Sequence, residues 1–209
     1  MSDPITPRKS LAEIPTIDVN LVTIQLDDDE FGFETASKIA CEAQLETEDA
    51  VKLIVKGKLL AQKPEQVTYT GTDITLTDNV FNPELVKILQ GGTITYDSVD
   101  VTKVTGYKPP TVGSGEKGQT FTLNAYSAQY DTSGEIVQYE KTSFPHCTGA
   151  PVALNSEDGV FRVPEYTIRS RPASTESPWE ITYVSTLPVL ADNEEEEEEP
   201  GTGGGGTGG

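Results

Sequence analysis

The chain has 209 residues, with 34 Asp and Glu against 15 Lys and Arg, one His, two Cys, one Trp and a formal charge of −19. That length holds one domain with an ordinary core. Such an acid excess repels nucleic-acid phosphates and anionic lipid, which argues against a DNA-binding or membrane-surface protein. Asp192 and Glu194 to Glu199 supply −7 of the charge, leaving −12 on residues 1–187, so the folding part is acidic in its own right.

In chain order, the first 15 residues hold three prolines and mixed charges and are expected to form a flexible arm. Ile17, Val19 and Leu21, then Val22, Ile24 and Leu26 out of phase, predict a strand with a bulge near Asn20–Leu21, ended by the acids Asp27–Glu30. Ile39, Cys41, Ala43 and Leu45 alternate with polar neighbours as in a half-buried strand. Val51–Val55 and Lys58–Gln62 flank Lys56-Gly57 and read as a hairpin, the glycine supplying positive φ. Ile74–Leu76 is a further strand. Asn82 as N-cap, Pro83 in the first turn, Glu84 at the positive end, the apolar Leu85, Val86, Ile88 and Leu89, and the Gly91-Gly92 stop predict a helix over about 82–90.

Beyond the helix, Thr93–Tyr96 and Val101–Val104 are expected strands, and Lys108–Gly118 is a loop by composition. Phe121–Tyr130, a turn at Asp131–Gly134 and Ile136–Thr142 form a long hairpin. Phe161–Val163, Tyr166–Ile168 and Glu180–Leu187 supply the remaining strand material. The fold class is mainly β: an antiparallel β-sandwich or partly closed barrel with one flanking α-helix. The domain plan is an arm at 1–15, a β-sandwich at 16–188 and a tail at 189–209, because six glutamates and a glycine run bury too little to offset chain entropy. Ending the chain after Val189 is therefore expected to leave folding unchanged. Met-Ser-Asp-Pro lacks the regions of a signal peptide, and no apolar run approaches the roughly 18 residues of a membrane span. Synthesis in a cytoplasm is the expectation.

The search for chemistry returns little. Cys41 and Cys147 read as two reduced, half-buried thiols. His146 and Cys147 are chain neighbours, whose side chains in an extended strand point to opposite faces and do not form a dyad. One His and two Cys do not close a tetrahedral zinc site. Gly113–Thr120 fails as a phosphate loop, since Lys117 precedes Gly118 instead of Ser or Thr and a strand follows. Asp27–Gly32 has acids and a glycine at calcium-loop positions, yet Phe31 and Lys38 stand where ligands belong, so a solvated acidic turn is expected. No cofactor, metal or catalytic residue is assigned, and the chain is read as not an enzyme.

One segment is more specific. Thr72–Thr93 runs strand, Asp78-Asn79 turn, Asn82-Pro83-Glu84-Leu85 helix start and Gly91-Gly92 stop. It resembles the signature of major tail tube proteins of long-tailed bacteriophages and related phage-tail-like bacteriocins. The surroundings agree over about residues 17–187, with the Lys56-Gly57 hairpin upstream and Ser143–Pro151 downstream. The resemblance implies a β-sandwich subunit, six of which form a ring. Rings stack into a hollow tube that conducts DNA without binding it specifically, and an acidic wall suits that role. Implied partners are further copies of the chain and the tape-measure, distal-tail and terminator proteins, in a virion, with no membrane. Candidate assembly segments are Lys56, Gly57 and Lys58 and the loop containing Pro109, Pro110 and Lys117. Two other readings stay open: an adaptor or terminator that caps the tube, and a carbohydrate-binding module. The latter usually presents a row of exposed aromatics, whereas Trp179 stands alone and is expected to be buried or at an interface.

Overall fold

The computed structural model describes residues 15–27 and 29–190. The expected arm, apart from Pro15, and the tail from residue 191 onward lie outside the described residues. Twelve strands and one helix follow in order: β1 (Thr16–Leu26), β2 (Asp29–Phe33), β3 (Ala36–Glu48), β4 (Val51–Val55), β5 (Lys58–Lys63), β6 (Gln66–Asp78), α1 (Pro83–Gln90), β7 (Thr93–Tyr96), β8 (Val104–Lys108), β9 (Phe121–Tyr130), β10 (Ile136–Gly149), β11 (Glu165–Ser170) and β12 (Glu180–Val184). The mainly β, antiparallel class with a single helix is as the sequence predicts.

Local chemistry explains most boundaries. The phase slip in β1 is a bulge between Ile17 and Leu21, with Asp18 at φ 64°. The amide of Ala128, which faces the bulge, donates to Asn20 Oδ1 at 2.7 Å, so the side chain replaces a ladder bond. The acid run after β1 is not simply a terminus. Asp27 turns the chain at φ 49°, and Asp29 and Glu30 open β2, which pairs back on β1. The expected strand at Val101–Val104 begins only at its last residue. Asp97 accepts from the amides of Val99 and Asp100, and Asp100 accepts from Thr102, so side-chain turns override the β-branched pattern. Phe161–Val163 forms no strand, and Phe161 projects into solvent. The last strand stops at Val184, short of Leu187, and the chain continues through Leu190, whose side chain sits against Gly32.

The principal sheet has eight strands in the order β2-β1-β9-β10-β11-β6-β3, with β12 pairing on β10. Strand β10 serves both halves. Its residues 139–143 pair with β12, and its residues 147–149 pair with β11. Between them the ladder to β9 breaks from Phe144 to Cys147, where Pro145 has no amide to donate and His146 adopts φ 48°. This corner bends the strand from one layer into the other. Ser170 Oγ donates to the Pro145 carbonyl at 2.6 Å and the Arg171 amide to that of His146 at 3.2 Å, which holds the bend.

The sheet curls until β1 lies beside β3 without pairing to it. Inside are Val22, Ile24, Ile74, Leu76, Phe121, Leu123, Phe144, Cys147, Tyr166 and Ile168, and Leu85, Val86 and Leu89 of α1 close the end. Asn82 caps the helix as expected, its Oδ1 accepting from Glu84 N at 2.9 Å and Leu85 N at 3.2 Å. The backbone of Leu89 passes close to Gly118 and Gly149; a Cβ on Gly149 would stand 2.5 Å from Leu89 Cβ. Both positions therefore have no room for a side chain. Leu89→Ala should cost about 2–5 kcal/mol of unfolding free energy, and Asn82→Ala about 1 kcal/mol. Urea unfolding checks both, and a near-neutral Leu89→Ala would show that α1 does not close the core.

Candidate assembly surfaces

Every residue from Leu45 to Thr68 is exposed. The far halves of β3 and β6 pair as a ribbon, from Leu45↔Tyr69 to Glu48↔Gln66, and the β4–β5 hairpin continues it. Lys56 at φ 49° and Gly57 at φ 78° make the tight two-residue turn that the sequence predicts. This projecting arm carries eight large apolar side chains: Leu45, Val51, Leu53, Ile54, Val55, Leu59, Leu60 and Val67. A two-stranded ribbon is marginally stable alone, and exposed apolar side chains in this number make the arm a candidate interaction surface. Charge is segregated along it. The root holds Glu42, Glu46, Glu48, Asp49 and Glu65, whereas Val51–Lys63 contains four lysines and no acid. Lys63 is bound by Glu48 at 2.6 Å, while Lys52, Lys56 and Lys58 meet no carboxylate among the described residues.

A groove of about 660 Å³ lies between β2 and α1, lined by Phe31, Phe33, Leu85, Ile88 and the Pro188–Leu190 segment. Glu30 and Leu190 lie on the face of β2 opposite Phe31 and Phe33. Glu30 and Glu84 stand among its lining residues with Lys87 as the single cation. Glu30 also ends a polar row on the outer face of the sheet: Thr23 Oγ1 donates to it at 2.5 Å, Asn124 Nδ2 to Thr23 Oγ1 at 3.1 Å, and Ser143 Oγ to Asn124 Oδ1 at 2.8 Å.

The remaining residues singled out in the sequence are placed as follows. Asp78 is buried at the end of β6; its amide donates to Pro164 O at 3.0 Å and its Oδ1 accepts from Val80 N at 3.3 Å. Asn79 N donates to Thr35 O at 3.1 Å. Pro83 opens α1, Gly91 N donates to Lys87 O at 2.8 Å, and Gly92 N reaches Glu116 Oε1 at 2.9 Å. So the second half of the loop is fastened to the helix end, and Gln119 N donates to Ile88 O at 2.8 Å. Within it Pro109 and Lys117 are exposed and Pro110 is half-buried. The structure does not bring this loop's residues into one cluster with Lys56, Gly57 and Lys58.

The chemical candidates resolve into structural roles. His146 Nε2 lies 3.0 Å from Glu176 Oε2, whereas Cys147 Sγ donates to Phe144 O at 3.2 Å, so the two neighbours face different partners. Burial pushes the Cys147 thiol up to about 12, which keeps it protonated. The Glu176 carboxyl is held below its usual range, first by the amide of Ala173 and then by His146. Cys41 is exposed on the edge strand β3 and not half-buried, because the half-barrel leaves that strand's outer reach without a covering layer. Among the described residues no group of three or more His, Cys, Asp or Glu is placed to hold a metal ion, and no helix is long and apolar enough to cross a membrane.

Trp179 is 46% exposed and not buried. It does not stand alone, since Ile181 and Tyr183 follow at two-residue spacing on or beside β12 and are exposed too. Both β3 and β12 offer free edges. Amide hydrogen exchange on dilute subunit should show residues 45–68 exchanging far faster than β9 and β10; equal protection would mean that the arm folds onto the body.

No protein-family model matches the chain, and no curated protein matches it. Two solved structures of the anti-feeding prophage are similar to it. The tube terminating cap aligns over 89% of this chain and 100% of its own at 11% identity, with a TM-score of 0.39. A chain of the 6-fold symmetrised baseplate aligns over 83% of this chain and 98% of its own at 12% identity, with a TM-score of 0.34.

Proposed function

We propose that this chain is a structural subunit of a phage-tail-like particle, in which six copies close into a ring and rings stack into the hollow tail tube. The observation that carries the reading is the arm, 24 consecutive exposed residues with eight large apolar side chains and no partner within the described chain. A secreted or cytosolic monomer would cover such a surface or dilute it with charge. The Asp73–Gly92 segment that resembles tail tube proteins supports the family, and it adopts the strand, turn, capped helix and glycine stop that the resemblance implies. An acidic subunit suits a conduit whose cargo is polyanionic, because repulsion keeps DNA from adhering to the wall. The reading assigns the chain no catalytic role.

A ring that terminates the tube is the second reading, since the same arm and helix motif suit a subunit that docks on the last tube ring. Tape-measure, distal-tail and terminator proteins would then be neighbours along the particle, and the host cytoplasm its place of synthesis.

Negative-stain microscopy of concentrated protein tests both. Stacked rings of unlimited length support the tube, and single closed rings support the terminator. A strict monomer at all concentrations and salt conditions, or retention on a glycan column, overturns the proposal. Leu53→Ser with Leu59→Ser should leave the far-ultraviolet spectrum and melting of the subunit unchanged while preventing assembly. At about 1.5–3 kcal/mol for each leucine buried at an interface, the pair weakens association by a hundredfold or more.

A further inference from the structure

We infer that one internal water molecule joins the carboxylate of Asp78 to the hydroxyl of Tyr166 at the foot of α1, and that this bridge seats the chain where it leaves β6 for the helix. The inference concerns the core and is independent of the assembly proposed above.

Asp78 is the one charged side chain among the buried described residues; the other buried polar side chains belong to Thr23, Thr72, Asn124 and Ser170. Among the described residues no lysine, arginine or histidine pairs with it. A carboxylate offers about four lone-pair sites. Here Oδ1 takes one long bond, from Val80 N at 3.3 Å, and Oδ2 takes none. Tyr166 is fully buried as well, and its hydroxyl is the second buried side-chain atom without a partner among the described residues. Native cores leave few polar groups in that state, because each forfeits its hydration for nothing in return.

The two orphaned atoms belong to one place. Tyr166 stands opposite Leu76 in the β6–β11 ladder, and Asp78 follows Leu76 by two residues, so both side chains leave the sheet on its inner face. Diagonal neighbours of this kind stand about 7–8 Å apart, within reach of an aromatic side chain. The hydroxyl and the carboxylate do not close that gap themselves, since neither has a hydrogen-bond partner. Burial pushes the Tyr166 phenol up to about 12, while the Asn82 amide draws it down and the Asp78 charge raises it further. The phenol thus keeps its proton at neutral pH and has a donor to give.

A donor on one side, an acceptor on the other and a gap too wide for a direct bond suit a water, which needs two to four polar partners. Tyr166 donates to the water oxygen, and the water donates to Asp78 Oδ2. A cation is the other occupant that an orphaned carboxylate could take. The site disfavours it, because the positive end of the α1 dipole lies beside it and no second buried carboxylate accompanies Asp78. Asp78 holds the amide of Val80, and the cap Asn82 follows two residues later, so fixing the carboxylate fixes the entry to α1.

A high-resolution crystal structure of the full chain tests the bridge. The expected result is an ordered water about 2.6–3.2 Å from both Asp78 Oδ2 and Tyr166 Oη. A direct Tyr166–Asp78 hydrogen bond, an empty gap, or a metal ion between them each overturns the inference. In urea unfolding, Tyr166→Phe and Asp78→Asn should each lower the folding equilibrium constant about tenfold, and the double variant should lose about as much as either alone. Losses that multiply, to about a hundredfold in the double variant, would show that the two groups share no bridge and overturn it as well.

Discussion

A sheet that curls until its first and last long strands lie side by side, without pairing, has an open end, and α1 fills that end with Leu85, Val86 and Leu89. Much of the body answers to this plug. Gly118 and Gly149 lack side chains where the Leu89 backbone passes, and the loop before β9 is drawn onto the helix end through Glu116 and Gln119. The Asn82 cap and the Gly91–Gly92 stop limit the helix to the length of the opening. That is why the most recognisable stretch of the sequence contains no reactive group. Its residues set the start, the end and the burial of one short helix.

The second constraint is the corner in β10. A proline and a residue at positive φ interrupt the ladder, and Ser170 and Arg171 hold the exposed carbonyls. The bend lets a single strand join β9 and β12 in one layer to β11 and β6 in the other. His146 and Cys147, the residues with most chemical appeal, mark this bend. One reaches outward to Glu176, and the other is sealed in the core as a protonated thiol. Strain and burial here serve geometry and not reactivity.

With the core closed by the helix, the remaining length of β3 and β6 has nothing left to cover, and the ribbon leaves the body carrying its apolar residues into solvent. Hydrophobic surface of that kind is a cost to the isolated subunit and a driving force for association. Its basic tip stands next to an acidic root, Glu42, Glu46, Glu48, Asp49 and Glu65, on an otherwise acidic chain. In a contact made through such a surface, charge contributes mainly to specificity and apolar burial to affinity.

Local chemistry was enough, in the sequence alone, to determine the mainly β class, the bulge in β1, the Lys56-Gly57 turn and the capped helix, since each depends on a few adjacent residues. It was misleading where local signals compete. Val101–Val104 has strand composition, but Asp97 and Asp100 win it for a turn. Phe161–Val163 stays outside the sheet, and the acids at 29–30 hide a strand because they face solvent. Alternation in β3 suggested a buried face at Cys41 and Leu45, yet alternation states only that one face is apolar, not that anything lies over it. Whether a face is covered depends on residues far away in the chain. The hairpin residues were legible as a hairpin, but the groove was not, because β2, α1 and Leu190 come together only when the sheet curls. Spacing along a chain encodes strands and caps; the meeting of surfaces more than a hundred residues apart is decided by the tertiary packing that buries the core between them.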